Sequence, residues 1–331
     1  MATAVVAIAV VFWSGADKGG GVLSNPASVS LRLNGSYGSK YAGEIVAVRA
    51  NIFERNGIDL ELRESGQSID PIASVVSGSD TFGVTNSISF LNARAAGQPI
   101  VAFAAGFLEN SIVFYALEKS GIRAPQDFIG KRVGRRSSTD SAVLYDALLK
   151  NTGLSRSQIR ESATETDLDA LLNDRVDVVS GRIGLEGFLL RQKGVPYTVI
   201  RVSDYGIHVP DTVYFTTEKL VSDRPSLVQR VLQGILAGWA MTYADTAKSV
   251  PLIVAAGKNL TPEQVQFELA AQRDFVMPLG RRVAEFDEQQ WKQLRAILTS
   301  ARLMDGSVDL KRAINYDILK EAYRKPISFG N

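Results

Sequence analysis

The chain has 331 residues, 45% hydrophobic and 22% charged, and its 37 basic and 35 acidic side chains leave a formal charge of +2. That length exceeds the usual single domain, so two lobes are expected, and so small a net charge excludes reliance on a polyanionic partner such as nucleic acid. With no cysteine and a single histidine, His208, disulfides, thiolate or multi-histidine metal sites and thiol nucleophiles are excluded, and serine chemistry has one candidate base.

The N-terminus reads MATAVVAIAVVFWSGADKGGG, with an apolar run over 4–13 that is too short to span a bilayer and suits the core of an export signal. No Lys or Arg precedes the run and no clean small-x-small cleavage site follows, so a late start or an uncleaved anchor is the alternative. The expectation is an exported protein, periplasmic or otherwise extracytoplasmic, with a signal-like segment and Gly/Ser/Pro-rich linker over 1–28. Short β-type runs then alternate with helical ones. Strands are predicted at 29–33, 58–63, 81–84, 100–105, 112–116, 132–134, 176–180, 197–202 and 212–215, with helices at 43–56, 69–77, 88–96, 141–152 and 168–173. Such alternation implies an α/β fold with parallel sheets covered on both faces.

Beyond about 223 the pattern is helical only. Leu227, Val228, Val231, Leu232, Ile235, Leu236 and Trp239 form one apolar stripe; Thr261 and Pro262 open a second helix, and a third runs over 287–301. Two extended segments, 106–117 and 209–217, suit crossings between lobes. The expected division is lobe one from 29–117 plus 211–331 and lobe two from 118–210, with a cleft between them.

Ligands of open α/β sheets bind beyond the carboxyl ends of the strands, where helix N-termini present free N–H groups. Four loops there are small and polar: NGSYG from Asn34, ESGQS from Glu64, TNS from Thr85 and RSSTDS from Arg136. Glycines let backbone approach a guest, serines offer hydroxyls and tyrosines offer flat faces. The same residues also cap helices, so the weight lies in four such loops together.

Three passages, YAGEIVAVRANIFERNGIDLELRESG, SGSDTFGVTNSISFLNARAAGQPIVAFAA and SGIRAPQDFIGKRVG, occur in order. In them the chain resembles the ABC-importer substrate-binding proteins of the family shared by nitrate, sulfonate and taurine receptors and by thiamine-pyrimidine precursor receptors and synthases. The resemblance covers roughly 29–255. It implies a two-lobed, periplasmic-binding-protein-like type II fold with a two-segment hinge and a helical C-terminal part. It also implies ligand contacts at Ser36, Tyr37 and Tyr41, at Gln67 and Ser68, at Thr85, Asn86 and Ser87, and at Phe107 near the hinge. From the second lobe it implies Ser137, Ser138, Thr139 and Asp140, with Arg182, Glu186 and Tyr205.

Arg182 suits a carboxylate or sulfonate clamp, or else an ion pair with Glu186 four residues on along one helix face. Asp140 would repel a bare anion; with Tyr37, Tyr41, Phe107 and Tyr205 it favours a flat neutral or cationic guest such as an aminopyrimidine. A sulfonate, taurine or nitrate receptor, or a sensor feeding no transporter, is the alternative. The synthases of the family consume a histidine and carry a cysteine-rich iron motif. This chain lacks the cysteines, so it is expected not to be an enzyme and to use no metal or cofactor. Its partners would be a small-molecule ligand and an ABC permease, with the ATPase on a separate chain because no GxxxxGK[ST] loop occurs; a monomer is expected.

Overall fold

The computed structural model describes residues 26–66, 68–136, 140–304 and 307–324. The predicted export segment, Gln67, Ser137, Ser138 and Thr139 lie outside the described residues.

Among the described residues ten strands form two sheets: β1 (Ala27–Arg32), β2 (Ile58–Arg63), β3 (Phe82–Asn86), β4 (Ile100–Ala105), β5 (Ile112–Leu117), β6 (Arg132–Gly134), β7 (Arg160–Ser162), β8 (Val178–Arg182), β9 (Tyr197–Arg201) and β10 (Thr212–Thr217). The first sheet has the order β2-β1-β3-β10-β4 and the second β7-β6-β8-β5-β9, giving two α/β lobes. Neither sheet is purely parallel, which corrects the expectation. β5 lies antiparallel between β8 and β9, and β10 lies antiparallel between β3 and β4. Each is the first strand laid down after the chain crosses, and it enters its new sheet from the opposite direction.

β5 also corrects the expected boundary at 117: its register with β8 and β9 puts it in the second sheet. β7 (RES) escaped prediction because it is a three-residue edge strand without apolar alternation. The predicted helix 43–56 is two helices, Ala42–Arg49 and Ile52–Arg55, because Asn51 between them takes a left-handed backbone, φ 55°. The helix expected to carry both Arg182 and Glu186 is Leu185–Gln192, which leaves Arg182 at the end of β8. From Glu218 onward every element is helical, as the sequence implied.

The first lobe depends on one close helix contact. Every residue of the predicted apolar stripe is buried on the helix Pro225–Ala244, which crosses Ala42–Arg49. At the crossing a Cβ on Gly238 would stand 1.9 Å from the Gly43 carbonyl oxygen, and one on Gly43 would stand 2.3 Å from the Trp239 indole. The two backbones touch because neither position carries a side chain. Gly238→Ala is therefore expected to lower stability by about 1–3 kcal/mol, the usual cost of forcing atoms into a filled core. Chemical denaturation measures this, and an unchanged midpoint would show that the helices can separate freely.

Candidate functional site

The chain passes between the sheets twice, after β4 and before β10. Gly106 N–H donates to the Thr212 carbonyl at 2.7 Å and Asp211 N–H to the Phe107 carbonyl at 3.1 Å, so the two passages run bonded side by side. Ser87 holds the returning passage, its N–H on the Asp211 carbonyl at 2.7 Å and its hydroxyl on the Pro210 carbonyl. The helix Glu288–Ser300 grips both passages: Gln290 Nε2 donates to the Leu108 carbonyl at 2.8 Å and Gln293 Nε2 to the Gly206 carbonyl at 2.6 Å.

Asp211 is the buried anion of this junction. Its carboxylate accepts the Ser111 hydroxyl, from the outgoing passage, and Arg182 Nη1 at 3.2 Å, from the end of β8. Burial would push its pKa up, yet Arg182, Lys40 and Ser111 together hold it below the ordinary value. Arg182 also donates to Ser111 Oγ at 3.0 Å, while its side chain keeps 42% of its exposure and faces a cleft.

That cleft, about 240 Å³, is walled by Tyr37 and Lys40 of the first lobe, Phe107 of the outgoing passage, Arg182 and Ile183 at the end of β8, and Gln264, Glu268 and Gln272 of the helix Pro262–Val276. Gln272 Nε2 fixes the first loop by donating to the Ser39 carbonyl at 2.6 Å. Lys40 lies over the Tyr41 ring, 5.4 Å from its centre, and takes part in none of the ion pairs among the described residues. Burial and the nearby Arg182 pull its pKa down to about 8. Two cations thus share one cleft with two carboxylates beside them: Asp211, committed to Arg182 and Ser111, and Glu268, which accepts Gln264 Nε2 at 2.9 Å.

Two further acids border this field. Burial, with Asp211 adding repulsion, pushes Asp140 up to about 6 against the pull of Arg182 and Lys40. Glu44 lies under the loop at 1% exposure; Tyr214 donates to its Oε1 at 2.8 Å and Trp239 Nε1 donates to the Tyr214 oxygen at 3.1 Å. Its Oε2 is buried without a hydrogen-bond partner among the described residues.

Of the implied contacts, Tyr37, Phe107 and Arg182 line the cleft. Tyr41 is core, its hydroxyl donated to the Asn34 carbonyl, so its ring is a floor under Lys40 rather than a stacking face. Thr85 is buried in β3, the Asn86 side chain caps its helix through Ser89 N–H at 2.6 Å, and Ser87 holds the crossing. Ser36 and Ser68 are exposed and line no part of the cleft. Tyr205 sits in the turn Val202–Tyr205 with its carbonyl accepting Asn151 Nδ2 at 3.2 Å, away from the cleft walls.

The pairing of Arg182 with Glu186 along one helix is corrected. Arg182 ends a strand, Glu186 starts the next helix, and Glu186 Oε2 accepts the Arg182 backbone N–H at 2.8 Å while the guanidinium goes to Asp211. Sequence reasoning missed Lys40, Ser111, Asp211 and the three residues of the helix Pro262–Val276. Lys40 lies two residues beyond the NGSYG loop, one helical turn before Glu44; the others are far apart in the chain. His208 is exposed at the returning passage, Nδ1 3.1 Å from Glu109 Oε1. Among the described residues no group of three or more His, Cys, Asp or Glu is placed to hold a metal ion.

Glu44 gives a pH dependence of stability. Burial raises its pKa from the ordinary 4.5 to about 7. The folded state therefore binds the extra proton between those values, and this contribution is full below about 4.5 and lost as pH rises through 7. Glu44→Gln, which keeps an acceptor for Tyr214, is expected to be more stable than the parent at about pH 8, by roughly 1–3 kcal/mol. Its stability should also vary less between about pH 5 and 7; parallel pH profiles for the two proteins would refute this.

A Legionella pneumophila protein named 4-amino-5-hydroxymethyl-2-methylpyrimidine phosphate synthase is 24% identical over 288 residues, covering 86% of this chain and 90% of that one. A Schizosaccharomyces pombe protein of the same name is 30% identical over 135 residues, 40% of this chain and 38% of its own. In structure, the Escherichia coli periplasmic aliphatic sulphonate binding protein SsuA superposes with a TM-score of 0.74 at 17% identity, covering 88% of this chain and 92% of that one. The fold is that of the periplasmic binding proteins, as the sequence implied. The expectation that the chain is not an enzyme is overturned by the two curated relatives, both named as an enzyme. The profile of the NMT1/THI5-like family matches residues 39–249, well over half of the sequence, and the chain belongs to that family.

Proposed function

We propose that the protein holds a small organic solute bearing an oxyanion, such as a sulfonate, phosphate or carboxylate, between its two lobes. The lobes are built from 27–105 with 212–324 and from 112–201. One observation carries the reading: Lys40 and Arg182 face the same cleft, and Lys40 enters no ion pair among the described residues. A guest oxyanion relieves the repulsion between the two cations, with Arg182 supplying a planar fork and Lys40 a point charge. Phe107, Ile183 and Tyr37 suit the guest's apolar or flat part. The names of the relatives support the same chemistry, since an aminopyrimidine phosphate and an aliphatic sulphonate are both organic bodies carrying an oxyanion.

In this reading the protein works outside the cytoplasm, closes over its guest by bending at the paired passages, and hands it to a membrane permease driven by a separate ATPase. A second reading is catalytic and rests on the names of the Legionella and Schizosaccharomyces relatives: formation of the aminopyrimidine phosphate. An assay for that product over many turnovers separates it from one-to-one binding.

The charge on Lys40 supplies the test. Below its pKa of about 8 the side chain is cationic, so affinity for an oxyanion is highest there and falls as pH rises through that value. The expected decline is up to about tenfold per pH unit, read by titration calorimetry with MOPS, benzenesulfonate and a pyrimidine phosphate. Lys40→Gln should weaken the same ligands roughly ten- to a hundredfold, the worth of one charge-assisted bond, and flatten that decline. Equal affinity in parent and variant would remove the cleft cations from the site.

A further inference from the structure

Away from the paired passages the lobes also touch at the cleft wall. The helix Leu185–Gln192 of the second lobe packs on the helix Pro262–Val276 of the first, and both lend residues to the cleft, Leu185 from one and Gln264, Glu268 and Gln272 from the other. We propose that this contact is a latch: it holds the lobes closed before any guest arrives, so that its release limits both entry and exit. The inference rests on the reading that a guest lies between the lobes and that they part to admit it.

Close approach is the first argument. A Cβ on Gly184, just ahead of the second-lobe helix, would stand 3.1 Å from Glu268 Cγ and 3.3 Å from Glu268 Cβ, and one on Gly187 would stand 3.5 Å from the Phe267 ring. Bare backbone on the second lobe thus lets the first-lobe helix settle at van der Waals distance. A ring buried between the lobes is the second argument. Phe188 is 5% exposed, yet neither it nor Phe267 belongs to the main hydrophobic core. The two rings pack on each other with centres 5.8 Å apart, and the Arg191 guanidinium lies over Phe267 at 5.4 Å. Parting the lobes would return that apolar surface to water, which opposes opening.

The kind of bond on each side is the third argument. Toward its own lobe and the passages the helix Pro262–Val276 is hydrogen-bonded: Gln272 holds the Ser39 carbonyl, and the Phe275 carbonyl accepts Leu108 N–H at 2.8 Å and Glu109 N–H at 3.1 Å. Toward the second lobe it makes no hydrogen bond or ion pair among the described residues. Its partners there are the Phe188 ring, the Arg191 guanidinium and the Arg201 guanidinium, the last 5.0 Å from the centre of the Phe275 ring. The helix therefore stays with the first lobe when the lobes part, and the contact breaks without stranding a buried polar group. Ring pairs and cation–π contacts are modest attractions, which suits a fastening that must also open.

The chain has no cysteine, so the latch can be locked selectively: Gly184→Cys with Glu268→Cys brings two Cβ atoms close to disulfide spacing, about 3.5–4.5 Å. Small-angle X-ray scattering without any guest is the first measurement. The parent and the oxidised variant are expected to share one radius of gyration; a larger parent overturns the latch. Stopped-flow mixing with benzenesulfonate and with phenyl phosphate is the second. Phe267→Ala is expected to raise association and dissociation rates together by about three- to tenfold, the worth of one ring pair and its cation, with affinity kept within about threefold. In the double-cysteine variant, oxidation should slow both rates by about tenfold or more and reduction should restore them, so that one protein serves as its own control. Unchanged rates in Phe267→Ala, affinity lost there with association unaltered, or equal rates before and after oxidation each overturn the latch and leave the oxyanion reading standing. If neither probe binds, the oxyanion reading falls, and scattering alone decides the latch.

Discussion

A carboxylate removed from water costs several kcal/mol unless cations and donors surround it, and Asp211 is such a group at 1% exposure. Its partners come from two distant places, Ser111 on the outgoing passage and Arg182 at the end of β8, while Asp211 itself sits on the returning one. Satisfying that one charge fixes where the second sheet sits against the passages and pins a guanidinium on the cleft wall. Removing either partner would leave the anion stranded, so the arrangement tolerates little drift.

Much of the architecture was legible from local pattern. The predicted bounds 58–63, 100–105 and 132–134 coincide with β2, β4 and β6, because turn residues frame each run. The stripe from Leu227 to Trp239 is buried as its spacing required. Strand direction was not legible. β5 and β10 have the apolar, β-branched composition of any central strand, and only the path of the chain between lobes makes them antiparallel.

The site was read less well, for a reason visible in its residues. Polar loop residues serve either a guest or the backbone, and composition does not say which. Asn86 and Ser87 serve the backbone, and the Tyr37 hydroxyl goes to the Leu62 carbonyl at 2.5 Å even though the ring faces the cleft. Arg182 was noticed, as a clamp or else as a partner of Glu186, but its bond to Asp211 was not, because Asp211 is 29 residues on and its role depends on tertiary contact. Lys40, with a pKa near 8, and Asp140, near 6, both lie close to neutrality. Such groups are poised to change charge when a guest arrives, a property that no spacing rule encodes.

The strand order has a consequence for the order of assembly. All five strands of the second sheet come from one uninterrupted stretch, 112–201, so that lobe has everything it needs as soon as the stretch is made. The first sheet must leave a gap between β3 and β4 until β10 arrives more than a hundred residues later. Its glycine-lined helix contact waits longer still, for Gly238. On a ribosome, where domains complete as units and distant pairings carry the cost of closing long loops, the lobe that begins first is the one that finishes last.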